Sequence, residues 1–559
     1  MNNGLKKLFV KRLVGGLERQ SITKCSEWSV HYRMMGQPFP GAYSYDHHPW
    51  CKEMTDCEAE TTVGMKAAQM GYSEVALNKA FYTIDILKAS VLYVLPASTP
   101  DASDFSSSRF DPALEMSSHL RNMFSEVKNV GLKRAGNASL YIRGSRSRSQ
   151  VKSIPASQLI FDELDEMNQD NVVLARERSS GQNTMQELMI STPRVENIGI
   201  DLYWQQSTQE AFFFKCPHCS RLVQLTYPKC LIITSDDPLN PKIEDSHLIC
   251  PECKNILDNN TKPEWLGLSN TQWVPERTNR NIRGFRVNQL YSMAQASRPA
   301  VLAMKALRSS NGPTEEQEFH NSNLGLCHTV EGARVTDENL QDAIKRSTGY
   351  SKFSESQHNS WKAMGVDVGP KFLHVEITEY KANSKKTVDI NLSMDAKVLF
   401  EGKVEQFEEL DRLMLAFRIM MCVVDAQPEK RKAMEFAQRF YGRVRICFYA
   451  DTINIRDVGN LPDKDDFSIV VGRTVWMDTS LGRFKQKSIR LPIDTSFEYR
   501  EQMKAPVRSY ELDKHGNAIG RYLSGNQADH FAHARNYNEI ALALGMSKAK
   551  SQNVENLPI

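Results

Sequence analysis

The chain has 559 residues, a hydrophobic content of 41%, a charged content of 25% and a formal net charge of +3. Its length suggests about three or four domains at ~150 residues each, and its net charge neither requires nor excludes a nucleic-acid partner. Eleven scattered cysteines, the absence of any apolar run near the ~20 residues of a membrane span, and an amino terminus unlike a signal peptide predict a soluble protein of a reducing compartment.

The order of apolar and polar stretches predicts two α/β domains, because strand-like and helix-like runs alternate twice along the chain. Two cysteine pairs interrupt the first rhythm. The predicted segments are an arm at 1–45, a first α/β domain at 46–330 with an insert at 211–262, a polar linker at 331–360, a second α/β domain at 361–545 and a polar tail at 546–559.

Within the domains, periodicity predicts the main elements. In the first domain the strands are "TTVGMKAA", "SVLYVLPAS", "QLIFDE" and "QELMISTP", and the helices are "SEVALNKAFYTIDILKA" and "FDPALEMSSHLRNMFSEV". In the second domain the strands are "WKAMGVDVG", "FLHVEITEY", "TVDINLSM", "MMCVVDA" and "VRICFYA", and the helices are around 404–418, "PEKRKAMEFAQRF" and an amphipathic helix after Asp529.

The stretch "KAAQMGYS" has nearly the form of a phosphate-binding loop, G-x-x-x-x-G-K-[ST], but with a different order of residues. Gly71 and Ser73 align with the motif, Tyr72 stands at the lysine position, and Lys66 stands at the first glycine. A phosphate cradle needs backbone N–H groups, a cation and a hydroxyl for Mg²⁺ at a helix start. Lys66 can supply that cation from the front of the loop; the alternative is a strand, turn and helix with a chance lysine.

Two later strand ends support a nucleotide-hydrolysing core. "QLIFDE" ends in Asp162 and Glu163, the Walker B pattern in which the Asp holds Mg²⁺ and the Glu activates water; the alternative is an acidic loop. "MISTPR" ends a strand with Ser191 and Thr192, as in helicase-like motors that couple hydrolysis to movement. Arg176 or Arg178 are candidates for reaching a γ-phosphate, or belong to a solvated basic face.

The insert carries "CPHC" and "CPEC", with Cys216, Cys219, Cys250 and Cys253. Two C-x-x-C pairs supply four thiolates to a tetrahedral Zn²⁺, and a closed four-cysteine site is structural rather than catalytic. We therefore predict a zinc ribbon. Cys230 is expected to pack in the core, and His218 is a weaker rival ligand.

Three aspartates stand at the tips of elements in the second domain. Asp367 and Asp425 end predicted strands, and Asp529 begins a predicted helix. Carboxylates that converge at one sheet edge can hold the two metal ions of phosphodiester cleavage; singly, each is equally a cap or turn residue. Glu376 and Asp451 are alternative carboxylates, and His530 and His533 either tune a metal or contact phosphate, or are partly buried structural histidines.

Taken in this order, the motifs resemble the large subunit of tailed-bacteriophage terminases, in the lambda-type branch. The resemblance covers about 25–545 and includes "WSVHYRMMGQPFPGAYSYDHHPW", "AAQMGYSE", "IFDELDEM", "ISTP", "CPHC", "FHNSNLGL", "GVDVG" and "DHFAHARNY". In that branch the loop lysine commonly lies at the front of a deviant motif, as Lys66 does here. Glu74 departs from relatives that carry a second lysine, which predicts less positive charge near the phosphates.

The resemblance implies a P-loop, helicase-like ATPase domain with a zinc-ribbon insert, followed by a ribonuclease-H-like α/β nuclease domain. It implies ATP-driven translocation of viral DNA into the procapsid and metal-dependent cleavage of concatemeric DNA. Lys66, Gly71, Tyr72 and Ser73 would bind the nucleotide with Asp162, Ser191 and Thr192; Glu163 would be the catalytic base; Asp367, Asp425 and Asp529 would hold Mg²⁺ or Mn²⁺ for cleavage.

The implied partners are double-stranded viral DNA, a terminase small subunit, the portal protein and further copies of the chain in a ring, with no membrane and in the host cytoplasm. "YDHHPW" lies where relatives contact adenine. The basic run "YIRGSRSRSQVK", with Arg143, Arg146, Arg148 and Lys152, is a candidate DNA-tracking loop or a solvated loop. The alternatives are a helicase-like ATP-dependent DNA remodeller without nuclease activity and a non-enzymatic zinc-ribbon DNA-binding assembly protein.

Overall fold

The computed structural model describes residues 22–37, 39–124, 127–151, 154–179, 185–353, 360–383, 391, 393–450, 467–512, 518–525 and 527–551. It divides the chain into two compact units, Met1–His328 and Thr329–Ile559. Among the described residues, no helix has the length and apolar character needed to cross a membrane.

The first unit contains sixteen described strands. They are β1 (Met34–Met35), β2 (Gly41–Ala42), β3 (Thr61–Lys66), β4 (Val91–Leu95), β5 (Val127–Asn129), β6 (Leu132–Ala135), β7 (Ala138–Gly144), β8 (Gln158–Asp162), β9 (Gln186–Ser191), β10 (Glu210–Lys215), β11 (Leu222–Val223), β12 (Leu231–Ile232), β13 (His247–Ile249), β14 (Ile256–Leu257), β15 (Thr271–Val274) and β16 (Arg283–Val287).

Seven of these strands form a parallel sheet in the order β10, β16, β3, β9, β8, β4 and β7. Antiparallel strands extend it at both edges. Strands β3, β4 and β8 are buried along their whole length, as expected for parallel strands covered on both faces. Because the strands run in one direction, Lys66, Asp162 and Ser191 all lie at the same carboxyl edge.

The α-helices described in the first unit are Cys25–Tyr32, Cys51–Thr55, Tyr72–Asp85, Ser103–Phe105, Asp111–Met116, Ser118–Met123, Arg148–Val151, Gln169–Ser179, Ile200–Trp204, Lys262–Trp265, Pro299–Arg308 and Pro313–Glu318. The helix Tyr72–Asp85 follows the phosphate-loop candidate directly. Gly71 enters it with a left-handed backbone, φ +82°, a conformation that glycine adopts without strain. The insert folds around a separate antiparallel sheet of β12, β13 and β14.

The second unit contains nine described strands and six described helices. The strands are β17 (Trp361–Val368), β18 (Leu373–Ala382), β19 (Met394–Val404), β20 (Met421–Asp425), β21 (Val444–Tyr449), β22 (Ser468–Val471), β23 (Ile489–Arg490), β24 (Val507–Leu512) and β25 (Ala518–Leu523). The helices are Asp337–Lys345, Phe407–Ala416, Lys430–Arg439, Arg473–Lys485, Phe497–Lys504 and His530–Ser551.

The main sheet of the second unit has the order β22, β21, β20, β17, β18, β19, β23. β17, β18 and β19 form an antiparallel meander, and β20 runs parallel to β17. The long helix His530–Ser551 packs on β17, β18 and β20. Gly365 permits this approach, since a Cβ there would lie 2.0 Å from the carbonyl oxygen of Ala534.

Most predicted elements are present, with five differences. The long carboxy-terminal helix is not amphipathic, because its first fourteen residues are buried on nearly every side. The strand predicted at 387–394 lies mostly outside the described residues, and the third strand is Met394–Val404. "YIRG" belongs to β7 rather than to a loop. The segment 331–360 contains the helix Asp337–Lys345, and the last described helix continues into the predicted tail as far as Ser551.

Candidate functional site

The phosphate-loop candidate joins the end of β3 to the helix Tyr72–Asp85. No hydrogen bond in the described part of the chain uses the backbone N–H of residues 69–73 as a donor. The loop is held instead through its carbonyl groups: Trp50 Nε1 donates to the oxygen of Met70 at 2.8 Å, and Gln289 Nε2 donates to that of Ala68 at 3.0 Å. Its free N–H groups at a helix start can therefore bind an anion.

Lys66, the last residue of β3, directs its amine at the neighbouring acids. Its Nζ lies 3.0 Å from Oε1 of Glu163 and 3.4 Å from Oγ1 of Thr192. Burial lowers the pKa of Lys66, but the Glu163 and Asp162 carboxylates outweigh that effect, so the pKa is raised above its usual value. Lys66 is thus a charged amine at the carboxyl edge of the sheet.

Asp162 ends β8 inside the protein. Oδ2 accepts a hydrogen bond from the Tyr93 hydroxyl at 2.6 Å, whereas Oδ1 is buried without a partner among the described residues. Burial and the Glu163 charge raise the pKa of Asp162 to about 6, against the lowering effects of the nearby Lys66, Tyr93 and Ser73 side chains. An unsatisfied buried carboxylate oxygen is the donor that a Mg²⁺ ion or its water requires.

The Ser-Thr pair lies beside these acids. The Ser191 hydroxyl accepts the backbone N–H of Asp165 at 3.1 Å and donates to the carbonyl of Thr192 at 3.2 Å. Ser191 thus connects β9 to the turn after Glu163, while the Thr192 hydroxyl faces Lys66. The structure therefore brings Lys66, Ser73, Asp162, Glu163 and the Ser-Thr pair to one place.

One expectation about this loop requires correction, and a second gains a structural detail. The Tyr72 side chain does not face the loop, because it is buried in the core. Its ring packs against Gly64 of β3, where an added Cβ would be 2.8 Å from Cδ2 of Tyr72. Only the backbone of Tyr72 remains at the loop. Glu74, which stands where relatives can carry a lysine, pairs with the buried Arg33 at 2.9 Å and is approached by Arg109 at 3.8 Å.

Two further segments that the sequence motifs did not assign to the loop contact it. His48, in "YDHHPW", lies against Gly71: a Cβ added to Gly71 would be 3.0 Å from Cδ2 of His48. Burial, together with the nearby His47, lowers the pKa of His48 to about 4. In "FHNSNLGL", Ser322 accepts the N–H of Ala68 at 2.8 Å, and a Cβ on Gly325 would be 2.7 Å from the nitrogen of Ala67.

One of the two arginine candidates, Arg176, lies away from the nucleotide site. Arg176 pairs with the buried Glu187 at 2.7 Å near the start of β9, the end opposite Ser191. This placement contradicts a contact from Arg176 to a phosphate of its own loop. The side chain of Arg178 lies outside the described part of the structure.

The basic run "YIRGSRSRSQVK" is divided between strand β7 and the exposed segment that follows it. Arg143 lies in β7 and donates to the carbonyl groups of Gly131 and Ile142, whereas Arg146 and Arg148 are exposed just after that strand. Lys152 lies outside the described residues. The Ser145 hydroxyl accepts the N–H of Asn168 at 3.1 Å, which joins the exposed basic loop to the turn after Glu163.

The four cysteines of the insert meet. Their sulfurs all lie within 4.8 Å of one another, with Cys216 and Cys253 at 3.9 Å and Cys219 and Cys250 at 4.0 Å. Around a tetrahedral zinc with Zn–S bonds of about 2.3 Å, sulfurs stand about 3.8 Å apart. The four sulfurs therefore fit a tetrahedral zinc site with at most small side-chain shifts.

The two cysteine turns have the same backbone form. The N–H groups of Ser220 and Lys254 donate to the carbonyls of Cys216 and Cys250, at 2.9 and 3.1 Å, and both residues have a positive φ. His218 does not join the sulfurs, since its Nε2 contacts the carbonyl of Ile256 at 2.9 Å. Cys230 is buried in the core.

In the second unit, Asp367 and Asp425 lie on adjacent parallel strands. Val366 pairs with Val424, so the two aspartates follow at the same level of β17 and β20. Burial, against a hydrogen bond from the backbone of Gln427, raises the pKa of Asp425 to about 6, and the negative charge of Asp367 adds to the rise. A buried carboxylate with a second carboxylate at the same level of the neighbouring strand is a usual surrounding of a divalent cation.

Asp529 precedes the long helix and has its own partners. Its Oδ2 accepts from the Ser524 hydroxyl at 2.5 Å and lies 3.3 Å from His533 and 3.9 Å from Arg473. Burial opposes ionisation, but these contacts, led by His533, lower the pKa of Asp529 below its usual value. The group next to Asp367 is His530, with its Nδ1 2.8 Å from Oδ2.

The alternative carboxylates have different positions. Glu376 is fully buried in β18, with Oε1 2.5 Å from Arg535 and Oε2 accepting from the Tyr499 hydroxyl at 2.6 Å. It is therefore committed to an internal ion pair. Asp451 lies outside the described residues.

Comparisons with known proteins agree with this arrangement in the first unit. Residues 37–273 match the family described as the ATPase domain of the phage terminase large subunit gpA. No curated protein sequence matches the chain.

Solved structures of large terminases show a weak overall similarity. The large terminase of bacteriophage HK97 has 11% identity over 93% of this chain and 99% of its own, with a TM-score of 0.47. That of a thermophilic bacteriophage has 10% identity over 89% and 98%, with a TM-score of 0.29. The ATPase domain of the Thermus phage P74-26 large terminase has 13% identity over 50% and 94%, with a TM-score of 0.31. The similarity to the gpA family is carried by the match of residues 37–273 to its ATPase domain.

Proposed function

We propose a function for this chain from one premise: it belongs to the phage terminase large subunits, whose ATPase domain its residues 37–273 match. The proposed function is ATP-driven translocation of viral DNA into a procapsid, together with metal-dependent endonucleolytic cleavage of concatemeric DNA. The observation that carries the motor is the position of Lys66, whose amine lies 3.0 Å from Glu163 at the carboxyl edge of a parallel sheet.

In the motor, Lys66, Gly71, Ser73 and the loop amides would hold the phosphates of ATP, and Asp162 would hold Mg²⁺. The bound Mg²⁺ would offset the negative charge of the phosphates. Glu163 is the proposed general base: its side chain is 38% exposed, whereas Lys66 beside it is 6% exposed, so Glu163 can face a water. Ser191 and Thr192 would couple ATP hydrolysis to movement, because Ser191 contacts the turn at Asp165 and Thr192 contacts Lys66.

The proposed zinc site is structural. Cys216, Cys219, Cys250 and Cys253 would form a closed four-thiolate site in a zinc-ribbon insert, and bound zinc would stabilise a module whose described strands have only two or three residues.

The proposed nuclease centre lies in a ribonuclease-H-like second unit. Asp367 and Asp425 stand at the ends of neighbouring strands, and Asp529 stands at the start of the helix packed on those strands. These residues would hold Mg²⁺ or Mn²⁺, and the bound ions would stabilise the attacking and leaving oxygens of the phosphodiester.

The proposed partners follow from the family. They are double-stranded viral DNA, a terminase small subunit, the portal protein and further copies of this chain in a ring, in the host cytoplasm. Arg146 and Arg148, exposed at the same edge of the sheet as the nucleotide site, are the proposed DNA contacts, because phosphate contacts are made by exposed basic side chains.

The test separates the two activities in the full-length chain. ATP hydrolysis with DNA and nicking of a plasmid are measured for the unchanged protein, Glu163→Gln and Asp425→Asn. We expect Glu163→Gln to lose hydrolysis and keep metal-dependent nicking, and Asp425→Asn to show the reverse. Asp411→Asn, which removes a surface partner of Arg439, is the matched control and should keep both activities.

Other outcomes would assign the alternatives. Hydrolysis without nicking by the unchanged protein, in Mg²⁺ and in Mn²⁺, would indicate an ATP-dependent DNA remodeller. Absence of both activities in the presence of DNA and a small subunit would indicate a zinc-ribbon assembly protein with inactive sites.

A further inference from the structure

One aspartate and two histidines form a second cluster at the edge of the proposed nuclease centre. We infer that Asp367, His374 and His530 form a metal site that prefers a first-row transition ion such as Mn²⁺ to Mg²⁺. This inference rests on the proposed nuclease function for its role, but the site itself rests on the geometry of the three side chains.

The fold brings the three residues together from three elements. Asp367 and His374 are directly opposite each other in the β17–β18 hairpin, and His530 is the first residue of the helix packed on those strands. Each offers one ligand atom, and these atoms lie within 4.8 Å of one another. Ligands at about 2.1 Å from one ion stand roughly 3 to 4.2 Å apart, so small side-chain rotations suffice.

Two observations indicate that the side chains are already arranged to bind a metal ion. Nδ1 of His530 and Oδ2 of Asp367 are 2.8 Å apart, close to the separation of neighbouring ligands on one ion. His374 is only 5% exposed, and its buried Nδ1 has no hydrogen-bond partner among the described residues. A buried ring nitrogen without a partner costs free energy unless a ligand fills that position.

The surroundings explain why a histidine takes this position. Asp529, the aspartate before the helix, is held by Ser524, His533 and Arg473. His530, the next residue, instead faces Asp367, and its ring stacks on His374 with centroids 4.4 Å apart and planes 13° apart. The helix therefore presents a nitrogen rather than a carboxylate oxygen to Asp367 in this structure.

The ligand types determine the metal preference. Mg²⁺ binds oxygen ligands and retains its water, whereas imidazole nitrogen favours the divalent transition metals. An aspartate with two histidines leaves further positions open for water or a phosphate oxygen. Asp367 would therefore belong both to this transition-metal site and to the proposed nuclease centre that includes Asp425.

The experiment uses Mn²⁺ as the probe and the full-length chain loaded with one zinc ion per molecule, enough for the cysteine site alone, without nucleotide. Mn²⁺ titration followed by electron paramagnetic resonance gives affinity, and pulsed measurements detect nitrogen bound to the ion. We expect a site with histidine nitrogen coupling that competes poorly with Mg²⁺. His530→Gln and His374→Ala should each weaken Mn²⁺ binding tenfold or more, and His247→Ala, in the insert, should leave it unchanged.

His374→Asn is a second variant in case His374→Ala disturbs the stacked rings, and preserved ATP hydrolysis checks that the chain is folded. Mn²⁺ binding without nitrogen coupling, or unchanged in His530→Gln and His374→Asn, would overturn the inference. If nitrogen-coupled Mn²⁺ is present but no metal supports DNA cutting, the site stands and the proposed nuclease function fails. If Mg²⁺ supports cutting and no nitrogen coupling is seen, the proposed nuclease function stands and the inferred metal site fails.

Discussion

The amine of Lys66 and the carboxylate of Glu163 lie 3.0 Å apart, so the cation at the front of the loop and the acid after β8 form an ion pair. The Lys66 amine also lies 3.4 Å from the Thr192 hydroxyl. In the proposed motor, phosphate oxygens would compete with Glu163 for this amine, because both are anionic acceptors. Nucleotide binding would then release Glu163 to contact water.

The first prediction follows from this competition. Glu163→Gln removes the rival anion and the base together, so ADP should bind at least as tightly as in the unchanged protein, while hydrolysis falls about 10²- to 10⁴-fold. Lys66→Ala should lose both binding and hydrolysis. Calorimetric ADP titration and phosphate release measure these effects. Lys88→Ala, an exposed lysine near Asp85, is the control; a Lys66→Ala protein that hydrolyses ATP normally would contradict the role of Lys66.

The second prediction concerns the four-cysteine cluster. Cys253→Ser should reduce bound zinc below one ion per chain and lower the unfolding temperature, because metal affinity contributes directly to folding of such modules. His218→Ala should retain one zinc, since that ring contacts the carbonyl of Ile256 instead of the sulfurs. Elemental analysis and thermal unfolding are the measurements. Full zinc content in Cys253→Ser would exclude the four-thiolate site.

The sequence allowed prediction of those parts of the site that depend on short spacings. Lys66 to Ser73 is one strand end, one turn and one helix start, so the loop was predictable from local chemistry. The cysteine pairs were predictable for the same reason. Asp367 and Asp425 also converge because the carboxyl ends of adjacent parallel strands must meet.

Contacts between distant segments were not predictable in this way. Nothing in the local pattern places Arg33 beside Glu74, and the burial of Tyr72 depends on how its helix packs on β3. The position of His374 opposite Asp367 had a usable signal, since a tight hairpin between the first two strands of the unit pairs those positions by register. The burial of the last helix on nearly all sides depends on buried ion pairs that periodicity does not reveal.

The third prediction concerns one of these ion pairs. Arg535 and Glu376 are both fully buried, with the guanidinium 2.5 Å from the carboxylate, and Arg535 also pairs with Glu539. Arg535→Met would leave the buried Glu376 carboxylate without its cation, whereas Glu539 keeps its pair with Arg483, and should lower the free energy of unfolding by about 3–5 kcal/mol. Arg439→Met, which breaks the surface pair with Asp411, should cost less than about 1 kcal/mol. Urea unfolding of each full-length variant measures both, and equal losses would contradict the prediction.

The last prediction uses the buried Asp165, in the turn after Glu163. Its Oδ2 accepts the N–H of Ile200 at 3.0 Å, and its Oδ1 has no partner among the described residues. Burial, opposed by the hydrogen bond from Ile200, raises the pKa of Asp165 to about 7 from a usual 3.8. The folded state therefore holds this proton more tightly than the unfolded chain, and its contribution to stability is complete below pH 3.8.

That contribution is lost as the pH rises from about 3.8 through 7, because the unfolded chain binds fewer protons than the folded one in this window. Asp165→Asn cannot ionise and escapes the loss. We expect its stability relative to the unchanged protein to increase by roughly 1–3 kcal/mol between about pH 5 and pH 8. Urea unfolding at both values gives this difference, in which groups common to the two proteins cancel. A difference that does not change with pH would show that Asp165 is ionised in the folded protein throughout, with its charge satisfied where the structure shows a bare Oδ1.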